Sequence, residues 1–116
     1  MVGSGLSLQV RHVDDDRAVL EVVGEIDLVT AGQLRVGLSD LVAAGGCRVV
    51  VNFARVPFCG SAGLDALLFA RARVRSRDGW LRLACLQPAV SKMFWVTGLD
   101  GVFGVYDTVD EALGSP

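Results

Sequence analysis

The stretch Phe58-Cys59-Gly60-Ser61-Ala62-Gly63-Leu64 holds the residue types best suited to chemistry in this chain of 116 residues. A serine between glycines can be a nucleophile, a thiol beside it can be a redox group, and paired glycines can cradle a phosphate. Spacing tests each of these. A nucleophile elbow needs Gly-x-Ser-x-Gly, and Cys59 stands where its first glycine should be. A general base is missing as well, since the sole histidine, His12, sits on the first strand and Lys92, the sole lysine, is no catalytic candidate. Gly60 and Gly63 lack the Gly-x-x-x-x-Gly-Lys pattern of a phosphate loop. The expectation is therefore a protein that is not an enzyme and needs no cofactor.

Cys47, Cys59 and Cys85 show none of the short Cys/His spacings of a zinc site, and His12 has no such neighbour, so no metal is expected. Buried free thiols are the default. A redox pair of Cys59 and Cys85 stays open, because both follow strand-like segments that look adjacent, although a reducing cytoplasm works against it.

Ser61 has two further readings. It stands where an apolar strand passes into a helix, so its hydroxyl can cap that helix, a role worth roughly 1 kcal/mol. The same place suits a phosphate, because the free N–H groups and dipole of a helix start favour negative charge. A phosphate there would add nearly two charges to the surface without unfolding the domain. In parallel α/β sheets, moreover, the carboxyl ends of the strands are where ligands and partners are met.

The elements needed to hold this segment alternate in period along the chain. Leu6, Leu8 and Val10 read as a half-buried strand, turned by Asp14-Asp15-Asp16 into a second strand over Ala18 to Val23. Gly24-Glu25-Ile26-Asp27 leads to a helix with Thr30 as cap, Gln33 reaching back and Val29 against Leu34 as staple. Leu34, Leu38, Leu41 and Val42 form its buried stripe, and Gly45-Gly46 stops it. Val49-Val50-Val51 reads as a central strand covered on both faces. A second helix runs from Ser61 towards Asp78, burying Leu64, Leu67, Leu68 and Ala72. Leu81, Leu83 and Cys85 alternate as a strand, and Pro88 opens a third helix that Gly98 ends. A strand over Val102 to Tyr106 precedes Thr108-Val109-Asp110-Glu111, a second capping box. The order ββαβαβαβα implies an α/β fold, a mixed sheet of about five strands with four helices packed on it.

Composition agrees with one folded domain over 1–116: 52% of residues are hydrophobic and 21% charged. The mean hydropathy of +0.48 is high, yet no apolar run approaches the ~18 residues of a membrane span. The excess fits a well-covered sheet with a sticky partner surface. A formal net charge of −2 leaves no electrostatic footprint for direct nucleic-acid binding. Arg71, Arg73, Arg75 and Arg77 suit a helix C-terminus, with a phosphate or RNA patch as the alternative. Met1 to Leu6 carry no secretory pattern, which points to the cytoplasm. Phe58, Leu64 and Trp95 are expected in the core, with an exposed docking surface as the alternative. Oligomeric state is not legible.

The chain resembles the STAS domain family, and within it the bacterial anti-sigma factor antagonists. The resemblance rests on Gly24-Glu25-Ile26-Asp27 before a helix at Thr30, the Val-rich strand ending at Asn52, Phe58 through Leu64, Pro88-Ala89-Val90, and Gly98-Leu99. It implies a partner, an anti-sigma factor with serine kinase activity, whose capture frees a sigma factor. It also implies a binding face drawn from Asp27, Thr30, Phe58, Cys59, Gly60, Ser61, Ala62, Gly63 and Leu64, with Asp27 open to the alternative role of a turn or cap carboxylate. The family's usual turn is Asp-Ser-Ser-Gly or Asp-Ser-Thr-Gly, phosphorylated on the second hydroxyl residue. Here that place is Ala62, the acid is Gly60, and Ser61 alone remains as acceptor. A STAS module without the switch, serving a stress-signalling assembly or a lipid-transport complex, is the alternative.

Overall fold

The computed structural model describes residues 5–114; Met1 to Ser4, on which part of the N-terminal reading rests, lie outside the described residues. The elements are β1 (Ser7–His12), β2 (Arg17–Val23), α1 (Ala31–Ala43), β3 (Arg48–Arg55), α2 (Ser61–Arg75), β4 (Trp80–Ala84), α3 (Pro88–Thr97), α4 (Asp100–Phe103), β5 (Val105–Tyr106) and α5 (Val109–Gly114). The five strands lie side by side in chain order. β1 and β2 pair antiparallel, with Leu8 opposite Val22 and Val10 opposite Leu20, and the remaining pairs are parallel. This is the mixed sheet that the alternating periods predict.

Strand alternation divides the core. Leu20, Val22, Val49, Val51, Leu81 and Leu83 face α1, α2, α3 and α4, and meet Leu34, Leu38, Leu67, Val90 and Phe94 there. Val19, Val50 and Ala84 face the other way, towards Ala112 of α5. Val49, Val50 and Val51 are all fully buried, as a strand covered on both faces requires.

Several local expectations need correction. The Thr30–Gln33 box does not form: Thr30 makes no side-chain cap bond, and Gln33 Oε1 instead accepts the Leu6 N–H at 2.7 Å. Val29 is 81% exposed, so it staples nothing. Gly60, not Ser61, is the N-cap of α2. That helix stops at Arg75 and buries Ala70 and Val74 where Ala72 was expected, because its inward stripe runs through 67, 70 and 74 at 100° per residue. Residues Val102 to Tyr106 divide into the end of α4 and the two-residue β5. Gly98 ends α3 with φ 75°, and Leu99, Val102 and Phe103 then follow helical spacing, which brings Phe103 against Phe94 at 5.9 Å between ring centroids. Pro88 opens α3 as expected. The Thr108–Glu111 box also forms, with Thr108 N–H donating to Glu111 Oε1 at 3.2 Å and Glu111 N–H to Thr108 Oγ1 at 3.1 Å.

Candidate functional site

Two loops are stitched together at the carboxyl end of the sheet. Gly24 N–H donates to Arg55 O at 3.1 Å, Ile26 N–H to Phe58 O at 2.9 Å, and Gly60 N–H to Ile26 O at 2.9 Å. Ile26 and Cys59 thereby extend the parallel pairing of β2 and β3 past its regular end. The chemical consequence is that Asp27, Leu28 and Val29 are held beside Phe58 and the start of α2. Gly63 lets the helix come this close, since a Cβ there would lie 2.5 Å from Ile26 Cγ2 and 2.7 Å from Cys59 Sγ.

Asp27 and Thr30 set the shape of the first loop from within. Thr30 is 2% exposed; its hydroxyl donates to Glu25 O at 2.7 Å and accepts the Asp27 N–H at 2.9 Å. Asp27 Oδ1 accepts the N–H groups of Val29 and Thr30, each at 2.9 Å. The Thr30 amide, then burial working the other way, then the Thr30 hydroxyl and Val29 amide leave the Asp27 carboxyl below its ordinary value. Its contribution to loop order is therefore full above the usual aspartate range and fades as pH falls through the lowered value. The Val29 and Thr30 amide resonances should titrate with a midpoint below the ordinary 3.8; a midpoint at or above it means these bonds are not made in solution.

Burial sorts the expected binding residues. Thr30, Cys59, Gly63 and Leu64 are buried, so they shape the surface from beneath and cannot touch a partner directly. Ser61 is exposed, with Gly60, Ala62 and Asp27 partly so. Phe58 and Trp95, expected in the core, are 48% and 71% exposed, whereas Leu64 is in the core as expected. Leu28, 86% exposed, and Val29 were missed. The signal was available, because two large apolar residues between a turn aspartate and a helix start break the helical stripe that begins at Leu34.

The helix start itself carries unspent polarity. Gly63 and Leu64 both donate to Gly60 O, while the amides of Ser61 and Ala62 precede any intrahelical acceptor. No acidic residue lies in the first turn and no side chain caps it. The arrangement can accept an anion, and the Ser61 hydroxyl is exposed beside it.

The thiols follow the default and do not form the pair that the sequence leaves open. All three are free. Cys59 packs with the helix-covered core and Cys85 with the α5 side, so the sheet stands between their side chains. Burial pushes the Cys59 thiol up to about 12, leaving almost no thiolate near neutrality. A thiol reagent at mildly alkaline pH should label Cys85 and Cys47 in the native protein and reach Cys59 only after denaturation. Mass spectrometry of the labelled peptides would show this, and native labelling of Cys59 would contradict its burial.

Among the described residues no helix is long and apolar enough to cross a membrane. The sequence pattern of the STAS domain matches residues 7–112. The anti-sigma-F factor antagonist RsfB of Mycobacterium tuberculosis is 29% identical over 96 residues, 83% of this chain and 78% of that protein. A crystal structure of an anti-sigma factor antagonist from Mycobacterium paratuberculosis superposes with a TM-score of 0.85 at 31% identity, covering 97% of this chain and 94% of the other. SpoIIAA of Bacillus in its phosphorylated form superposes with a TM-score of 0.72 at 25% identity, covering 92% and 96%.

Proposed function

The chain belongs to the STAS domain family, among its anti-sigma-factor antagonists, and on that premise we propose that it binds a cytoplasmic anti-sigma factor with serine kinase activity and so frees a sigma factor. The observation that carries this reading is the exposure of Leu28, Val29 and Phe58, by 86%, 81% and 48%, on two loops stitched together beside Ser61. Large apolar side chains held in water by a rigid loop lose little entropy on docking and gain from desolvation. The function is regulatory, and no catalytic step is assigned to any residue.

The switch follows from position. A phosphate on Ser61 would sit on the rim of that apolar surface, where burial against a partner would strip a double charge of water. The fold would tolerate it, since the helix start favours anions. Asp27 then acts as the organiser of the contact loop, and the buried Thr30, Cys59, Gly63 and Leu64 as its support.

A second reading is favoured by one residue, Ala62, which stands where the family's usual acceptor hydroxyl would be. It is an unphosphorylated STAS binder in a stress-signalling assembly or a lipid-transport complex. Calorimetric titration with the serine-kinase anti-sigma factor of the same cell separates the two. The unmodified chain should bind, and Leu28→Asp should weaken binding by roughly tenfold or more, as loss of a central apolar contact does. No binding by the unmodified chain, with a transporter ATPase recovered instead, would transfer support to the second reading.

A further inference from the structure

The sheet has an unfinished edge. β5 pairs with Leu83 and Ala84, so the first three residues of β4 meet no strand on that side among the described residues. Leu83 N–H donates outward to Gly104 O at 3.1 Å, whereas Trp80 N–H donates inward to Cys47 O at 2.9 Å. Backbone groups alternate in direction along a strand, so the N–H and C=O of Leu81 point out of the open edge. Beside them lies a slot of about 100 Å³ between Arg71 and Arg75 of α2 and Val102 and Phe103 of α4.

Size and charge decide what could enter. Small-molecule sites take ~300 Å³ or more, so this slot suits one side chain and not a nucleotide. Arg71 and Arg75 are four residues apart on one helix face and repel each other. Neither guanidinium has an ion pair or hydrogen bond among the described residues, and no acidic residue lines the slot. Its floor is apolar, from Leu81 and Phe103, each 3% exposed, with Val102 at 38%. An unpaired strand edge, two unneutralised cations on its helix-covered side and the half-buried Trp80 ring on its other side together fit an extended segment that alternates acidic and apolar residues.

We propose that the open edge of β4 takes an acidic segment of a partner protein as an added strand, its backbone bonding Leu81 and a carboxylate reaching Arg71 and Arg75. The site lies ten residues beyond Ser61, about 15 Å along α2 at ~1.5 Å per residue. It is therefore separate from the contact loops, and an antagonist engaged there keeps this edge available.

The test is an amide NMR titration of the full chain with the end-blocked peptide Val-Glu-Val-Glu-Val-Glu at low salt. Shifts should centre on Leu81 and Arg82, with slower hydrogen exchange at the Leu81 N–H. Replacing the glutamates by glutamines should weaken binding by about fivefold, as should the double variant Arg71→Gln, Arg75→Gln. Both arginines are at the surface, so the double variant keeps the fold, and Ser61→Glu should leave peptide binding unchanged. Equal binding of the glutamine peptide, shifts centred elsewhere, or the same shifts with free glutamate alone would each overturn the proposal.

Discussion

Ser61→Glu should leave the domain folded and weaken its binding to the anti-sigma factor by about a hundredfold, the scale expected when an uncompensated charge is buried at an interface. Stability should hold because Ser61 is exposed and α2 has no side-chain cap bond to lose. A carboxylate in the first turn should even stabilise the helix by roughly 0.3–1 kcal/mol. Ser61→Ala serves as the control: it removes no bond, so both melting temperature and binding should stay near those of the parent. Thermal melts and calorimetric titrations on the three proteins read both quantities. If Ser61→Glu binds as tightly as the parent, the rim position of Ser61 does not govern docking. Phosphopeptide mapping after incubation with the kinase and ATP then asks whether the cell uses this acceptor, and an unmodified Ser61 leaves the scaffold reading in place.

Phe94→Ala should cost the fold about 3–5 kcal/mol, the range for truncating a large buried aromatic. Phe94 is fully buried, with edge-on contacts to Phe53 at 6.2 Å and Phe103 at 5.9 Å between centroids. Its removal loses aromatic contacts in two directions and leaves a cavity between β3, α3 and α4. Domains of this size have a total stability of only about 5–15 kcal/mol, so the loss is a large share. Urea unfolding should show a much lower midpoint with an unchanged slope. A loss below about 1 kcal/mol would mean that α3 and α4 repack around the gap, and that Phe94 does not join them to the sheet.

The sequence carried the fold well where periodicity and burial coincide. Leu34, Leu38, Leu41 and Val42 are all buried on α1, and Val49 to Val51 on β3, because an apolar period matched to its element leaves one low-energy orientation. Gly98 and Pro88 ended and opened α3 for reasons local to their own backbones. Short elements were harder. The turn of helix at Asp100–Phe103 competes with an extended reading of the same residues, and the edge-on contact of Phe103 with Phe94, distant in neither sequence nor space, settles it.

At the candidate site the residue types were legible and their roles were not. Thr30 has the identity of a cap, but its hydroxyl serves the Glu25 carbonyl and the Asp27 amide inside the preceding loop. Phe58 is large and apolar, as core residues are, yet it is exposed because Cys59 extends the strand pairing with its side chain buried and alternation turns its neighbour Phe58 outward. Leu28 belongs to no motif, and Val29 fits a staple in sequence but is exposed in the fold. Thus the amino-acid order by itself determined the class of fold and the strand-to-helix turn at Ser61, since these depend on spacing and on which residue types are present. Only the tertiary structure decided which side chains face water, that Cys59 and Cys85 lie across the sheet from each other, and that β4 has an open edge. Those features arise from pairing and packing between segments far apart in the chain, and no local pattern encodes them.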